Sequence, residues 1–190
     1  MTDVIAFFPG QGAQHTGMLS DLAAEFPVVE ETFREASEAI NQDLWALSQN
    51  GPAEDLNLTY NTQPALLTAS VAIWRILKEK CPAMNVVAGA GHSLGEYSAL
   101  VAAGALDFSD AVRLVKKRGQ LMDAAVPAGQ GGMAAVLGLS EEQIADVCAG
   151  AADAGVVEPA NFNAPGQIVI AGSMPAVEKA IELAKEAGAK

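Results

Sequence analysis

The stretch Val86-Val87-Ala88-Gly89-Ala90-Gly91-His92-Ser93-Leu94-Gly95-Glu96-Tyr97-Ser98-Ala99-Leu100-Val101-Ala102-Ala103 decides how this chain is read. An apolar run, Val86-Val87-Ala88, leads into Gly91-His92-Ser93-Leu94-Gly95, and a helical pattern follows from Glu96 to Ala103. G-x-S-x-G between a strand and a helix is a nucleophile elbow, a turn so tight that the positions flanking the serine tolerate almost no side chain. The hydroxyl then projects at the end of the sheet. Behind it, the helix start offers free N–H groups and the positive end of the dipole to an oxyanion. Nine serines and 18 glycines in 190 residues give roughly 0.1 chance matches to the pattern per chain, and the strand and helix around it lower that figure. Ser93 is therefore expected to be a nucleophile rather than a residue of a structural Gly-rich turn.

Outward from the elbow the pattern alternates. Val4–Phe8 reads as a buried strand ended by Pro9-Gly10, and helices are predicted at 19–26, 28–40 and 44–49, with Gly51-Pro52 as a break. A long apolar helix is predicted from Pro64 to Lys80, with proline in its first turn as helix starts prefer. A strand over 85–88 precedes the elbow, and Asp107-Phe108-Ser109-Asp110 caps a helix running to Ala125. Strands separated by helices imply a parallel sheet with helices on its faces, an α/β class. From Gly131 the grammar changes: a strand at 133–137, a capping box Ser140-Glu141-Glu142-Gln143 opening a helix to Ala149, strands at 156–162 and 167–171, and a helix at 175–187. This β-α-β-β-α order is a ferredoxin-like unit lacking its final strand. The expected division is a large domain over 1–128 and a small one over 129–190.

Composition bounds the function. A net charge of −12 argues against nucleic acid and anionic membrane as partners. No apolar stretch reaches the roughly 20 residues of a membrane span, and Met1-Thr2-Asp3 lacks the basic start of a signal peptide. Cys81 and Cys148 lack metal-ligand spacing and read as inert thiols. A cytoplasmic protein is expected.

Three further features bear on the serine. Its proton needs a base, usually a histidine, and the chain holds only His15 and His92. His92 adjoins Ser93, where neighbouring side chains diverge, so a turn or pocket role suits it better. His15 follows the first strand's loop and is the other candidate. In enzymes of the α/β-hydrolase order the histidine follows the serine, and no histidine occurs after Ser93. The missing base and missing strand together predict the N-terminal part of a longer protein. The second feature is Arg118, which falls within about 60° of Leu114, Val115, Leu121 and Met122 on a helical wheel, on the apolar side. An inward guanidinium needs a partner, either a buried carboxylate in a structural salt bridge or the carboxylate of a substrate held bidentately. Arg113, Lys116 and Lys117 fall on the outward side as a solvated face. Third, Phe8-Pro9-Gly10-Gln11-Gly12 is neither a dinucleotide fingerprint nor a phosphate loop. Its glycines let the backbone approach a ligand, and the Gln11 N–H is the candidate second oxyanion donor.

The combination of Phe8-Pro9-Gly10-Gln11-Gly12, Gly91-His92-Ser93-Leu94-Gly95-Glu96-Tyr97, Lys117-Arg118-Gly119 and Asn161-Phe162-Asn163-Ala164-Pro165-Gly166-Gln167 closely resembles the malonyl-CoA:acyl carrier protein transacylases of type II fatty acid synthesis, across the whole chain in order. The resemblance implies an α/β-hydrolase-like domain with an inserted ferredoxin-like domain, here truncated before its last strand. It makes Ser93 the acylated nucleophile, gives the oxyanion-hole N–H groups to Gln11 and Leu94, and has Arg118 bind the malonyl carboxylate. Met122, His92 and Asn163 are then expected at the substrate. The family's catalytic histidine lies beyond the last small-domain strand. Malonyl-CoA and acyl carrier protein are the implied partners, without metal or redox cofactor, and Arg113, Lys116 and Lys117 become a candidate docking face for an acidic carrier. Two rivals stand beside this reading. A serine esterase or thioesterase leaves Arg118 unexplained, and a non-catalytic chain would only bind carrier protein.

Overall fold

A computed structural model describes residues 2–127 and 129–190. The chain has an α/β fold and packs as two units, Met1–Asp123 and Ala124–Lys190.

The first unit begins with β1 (Thr2–Phe8) and continues through α1 (Ser20–Glu25), α2 (Val28–Ile40), α3 (Leu44–Asn50), α4 (Ala53–Leu56) and α5 (Thr59–Lys80). It then enters β2 (Met84–Gly91), α6 (Leu94–Ala102) and α7 (Phe108–Ala125). β1 and β2 pair in parallel from Thr2 opposite Met84 to Phe8 opposite Gly91, with a bulge between Val4 and Ile5. Parallel strands need a crossover, and the five intervening helices supply it. The core lies around α5, which is buried at every position from Asn61 to Ala72. Val29, Phe33, Leu44, Leu56, Val112 and Val115 from the surrounding helices are closed against it.

Helix α5 starts five residues before the proline predicted to open it. Pro64 forfeits one backbone donor inside the helix, yet the turn upstream is held by side chains. The N–H groups of Asn61 and Thr62 both donate to the Leu58 carbonyl at 2.8 Å. The Thr62 hydroxyl donates to Leu56 O at 2.6 Å, and the Asn61 amide to Asp55 O at 2.9 Å. Strand β1 also departs from its reading as buried. Val4, Ala6 and Phe8 turn towards cover, while Phe7 is 77% exposed, as period-2 alternation on a strand covered on one face requires.

In α7 the buried stripe is Phe108, Ala111, Val112, Val115 and Gly119; of the predicted apolar side Val115 is buried, while Leu114, Leu121 and Met122 are 46%, 58% and 48% exposed. The rotation is set by Gly119. A Cβ there would lie 2.5 Å from Tyr60 Cα and 2.8 Å from Thr59 O, so α7 touches the first turn of α5 backbone to backbone.

The second unit holds β3 (Gly131–Leu137), α8 (Glu141–Ala151), β4 (Val157–Ala164), β5 (Gln167–Ser173) and α9 (Met174–Glu186). Its strands form an antiparallel sheet in the order β3-β5-β4. Ser140 and Gln143 form the predicted capping box of α8, Ser140 N–H donating to Gln143 Oε1 at 2.9 Å and Gln143 N–H to Ser140 Oγ at 3.3 Å. Ile144, Val147, Val177 and Ala180 of the helices pack with Val136, Val157, Ile168 and Ile170 of the sheet. At the outer edge of β3, Leu137 and Lys190 exchange both backbone hydrogen bonds at 2.9 Å, a narrow antiparallel pair. Cys148 is buried in α8, where desolvation, then the nearby Glu158 charge, pushes its thiol pKa up; Cys81 is exposed, and both are free. No helix among the described residues is long and apolar enough to cross a membrane.

Substituting Gly119→Ala should force α7 off α5, destabilising the first unit by about 1–3 kcal/mol. Thermal or urea melting of the purified variant checks this, and an unchanged midpoint would show that the helix contact yields freely.

Candidate active site

Ser93 sits between β2 and α6 with φ 52° and ψ −106°, a left-handed conformation in a non-glycine residue. Such strain costs about 1–3 kcal/mol and persists only where neighbours over-determine it. Here the neighbours are backbone. A Cβ on Gly91 would fall on the Gly95 carbonyl, and one on Gly95 would fall on the carbonyl oxygen of Phe8. His92 N–H donates to Phe8 O at 3.3 Å, Gly95 N–H to His92 O at 2.9 Å and Glu96 N–H to Ser93 O at 3.2 Å. The end of β1, the end of β2 and the start of α6 thus meet with no side chain between them, leaving Ser93 exposed.

Leu94 is the first residue of α6, so its N–H has no acceptor within the helix, while its side chain, 1% exposed, anchors the turn. The predicted oxyanion donor is thus an N–H without a helical acceptor, next in the chain to the serine. Gln11 lies in the exposed loop that leaves β1 at Phe8, the residue on which the elbow packs.

Arg118 comes to the serine from α7. Its Nη2 donates to Ser93 Oγ at 3.1 Å and its Nη1 to Gln63 Oε1 at 2.9 Å, and the guanidinium lies 5.7 Å from the Tyr97 ring centre. Among the described residues no carboxylate pairs with Arg118, so the structural salt bridge is not what holds it. Because guanidinium only donates, Ser93 Oγ accepts and its own proton remains available to a base. Gln63, fully buried on α5, also donates from Nε2 to Met122 Sδ at 3.3 Å. This links Met122 to the arginine.

The rest of the basic cluster divides. Arg113 pairs with Asp110 at 2.7 Å and Lys117 is exposed. Lys116 is not on a solvated face: its Nζ donates to Gln42 Oε1 at 2.5 Å and Asn61 Oδ1 at 3.0 Å and sits 4.7 Å from the Tyr60 ring centre, and burial lowers its pKa. The helical wheel misassigned it because the closest approach of α7 to α5 is at Gly119, which turns Lys116 towards the amides at the start of α5.

Ser93, Leu94, His92, Arg118 and Met122 are therefore brought to one place in the first unit. His15 lines a largely apolar cavity of about 540 Å³ between β1 and α5. Asn163 lies exposed near the end of β4 in the second unit. No group of three His, Cys, Asp or Glu side chains among the described residues is placed to hold a metal ion. Sequence reading passed over Gln63. Its signal was a lone amide at the head of the apolar run Pro64-Ala65-Leu66-Leu67.

Comparison with known proteins adds to this geometry. The acyl transferase domain family matches residues 6–190. The chain is 60% identical over 193 residues to the malonyl CoA-acyl carrier protein transacylase of Escherichia coli (strain K12), covering 100% of this chain and 61% of that protein. It is 51% identical to the Bacillus subtilis (strain 168) protein of the same name, covering 100% and 60%. Among solved structures, a malonyl-transacylase in complex with its type II PKS acyl-carrier protein matches with a TM-score of 0.94 at 56% identity, over 100% of this chain and 61% of that one. An acyl carrier protein S-malonyltransferase from Vibrio cholerae matches with a TM-score of 0.90 at 59% identity, over 98% and 60%. The chain thus spans about three fifths of the length of these relatives.

The elbow makes a prediction of its own. Gly95→Ala places a methyl group on the Phe8 carbonyl, so the serine turn must open. Acylation of Ser93 in the full-length protein should fall at least about tenfold, since displacing a reacting group by about 1 Å costs on that order or more. Single-turnover labelling measures it, and labelling at the unmodified rate would show that the backbone contact does not position the nucleophile.

Proposed function

The chain belongs to the acyl transferase domain family, and on that premise we propose that the protein carrying it transfers a malonyl group from malonyl-CoA to the phosphopantetheine thiol of acyl carrier protein, in fatty acid biosynthesis. The observation that carries this reading is the 3.1 Å contact between Arg118 Nη2 and Ser93 Oγ. A malonyl ester on Oγ bears a free carboxylate one methylene beyond its carbonyl. A guanidinium with no carboxylate of its own, set beside that oxygen, is suited to receive it.

The reaction is ping-pong. A base, expected to be histidine, takes the Ser93 proton as Oγ attacks the thioester carbonyl. The N–H groups of Leu94 and Gln11 hold the oxyanion. Collapse breaks the C–S bond, coenzyme A leaves as its thiol with the transferred proton, and the malonyl ester stays on Ser93. The phosphopantetheine thiol then attacks the ester by the same steps in reverse, returning the proton to Oγ. Tyr97 and Gln63 steady the arginine, Met122 packs beside it, and His92 and Asn163 are assigned to the substrate. Cytoplasmic residence follows from this pathway.

The finer fold reading accompanies the function. In it, the first unit is part of an α/β-hydrolase-like domain, supported by the parallel β1–β2 pair ending in the elbow. The second is a ferredoxin-like domain inserted in it, supported by the β3-β5-β4 order and by the pairing of Lys190 with the outer edge of β3.

Replacing Arg118 by Ala in the full-length protein should cost malonyl transfer about 3 kcal/mol, roughly a hundredfold, while sparing or improving acetyl transfer. Steady-state kinetics with the two CoA esters test this. Equal losses for both would return Arg118 to a structural role and favour the esterase reading.

A further inference from the structure

We propose that Gln63 is the positioning residue that sets the preference for acyl groups bearing a carboxylate, by presenting the Arg118 guanidinium to Ser93 without neutralising it; this rests on the malonyl-transfer reading above. Gln63 is fully buried in a helix whose following residues are apolar. A buried amide is costly unless its polar atoms are bonded, and leucine would fill such a place without that cost. The amide's strong contact is Oε1 to Arg118 Nη1 at 2.9 Å; Nε2 meets only the weak acceptor Met122 Sδ at 3.3 Å. The orientation is unambiguous, because a guanidinium can only donate and Oε1 must face it.

Two features make this contact a device for orientation. The α5 backbone just upstream of Gln63 is locked on α7 at Gly119, so the amide and the arginine spring from helices fixed against each other. With Nη1 on Gln63 and Nη2 on Ser93, the plane of the guanidinium is set relative to the nucleophile. The second feature is charge. Glutamate has the same shape and would be the stronger acceptor, but it would pair with Arg118 and repel a substrate carboxylate. Glutamine accepts the hydrogen bond and leaves the positive charge for the substrate.

The test uses the full-length enzyme and compares transfer of malonyl and acetyl groups from CoA to carrier protein in the wild type, Q63E, Q63M, R118A and Q63M/R118A, with melting temperatures alongside. Q63E should lower the malonyl-to-acetyl ratio of kcat/KM at least about tenfold by adding a like charge beside the acyl carboxylate, with malonyl KM rising. Q63M, which keeps the volume and removes the acceptor, should lower the ratio less, through kcat. Once Arg118 is gone, adding Q63M should move the ratio less than about twofold, because the amide acts on the substrate only through the guanidinium. A merely structural Gln63 would lower both acyl substrates together and leave the ratio alone. If R118A collapses the ratio while Q63E and Q63M leave it within about twofold of wild type, the proposal falls and the malonyl reading stands. If R118A leaves the ratio unchanged, both fall. Should Q63E melt before assay temperature, Q63M decides.

Discussion

Ser93 is held at φ 52° because three pieces of backbone meet around it with no room for a side chain. The end of β1 meets Gly95, the end of β2 meets the carbonyl of Gly95, and α6 starts from the same point. Everything else at the site inherits its position from that contact. It leaves Ser93 exposed, starts α6 at Leu94 beside it, and ties the loop carrying Gln11 to the elbow through Phe8. The strain in the serine is sustained by packing and hydrogen bonds on both sides of it, as is usual where a reactive group must be presented in one geometry.

A second contact of the same kind fixes the cation. Gly119 lets α7 lie on the first turn of α5, and that approach orders the polar groups along the seam. Lys116 turns to the amides of Gln42 and Asn61, and Arg118 to Gln63 and Ser93. Among the described residues no carboxylate pairs with either cation, and each donates to neutral acceptors instead. For Lys116 this anchors a helix. For Arg118 it leaves a positive charge beside a nucleophile, the arrangement an acyl group with its own carboxylate needs.

Much of this was legible in the residues. The G-x-S-x-G turn between an apolar run and a helical one placed the serine, and Ser140 with Gln143 placed the start of α8. Asn163-Ala164-Pro165-Gly166 marked a hairpin whose first strand runs two residues further into it than the sequence suggested, while the second starts at Gln167 as expected. What was hidden depends on partners distant in sequence. The wheel of α7 put Arg118 on the apolar side and Lys116 outside, since a wheel cannot show that Gly119, the smallest residue, marks the line of closest approach. The start of α5 was read at Pro64 because its true first turn is stabilised by Asn61 and Thr62 side chains bonding back to Asp55 and Leu56. Gln63 gave only the weak signal of an amide beside apolar residues, and its role emerges when α7 is laid against it.

The proposed ping-pong reaction requires a malonyl ester on Ser93 as an obligatory intermediate. Rapid quenching of the full-length protein with malonyl-CoA in the absence of carrier protein, followed by peptide mass spectrometry, tests it most directly. One malonyl group per protein is expected, located on the peptide containing Ser93, formed within a single turnover and discharged on adding carrier protein with its phosphopantetheine thiol. A malonyl group on another residue, or transfer to carrier protein with Ser93 never modified, would contradict it.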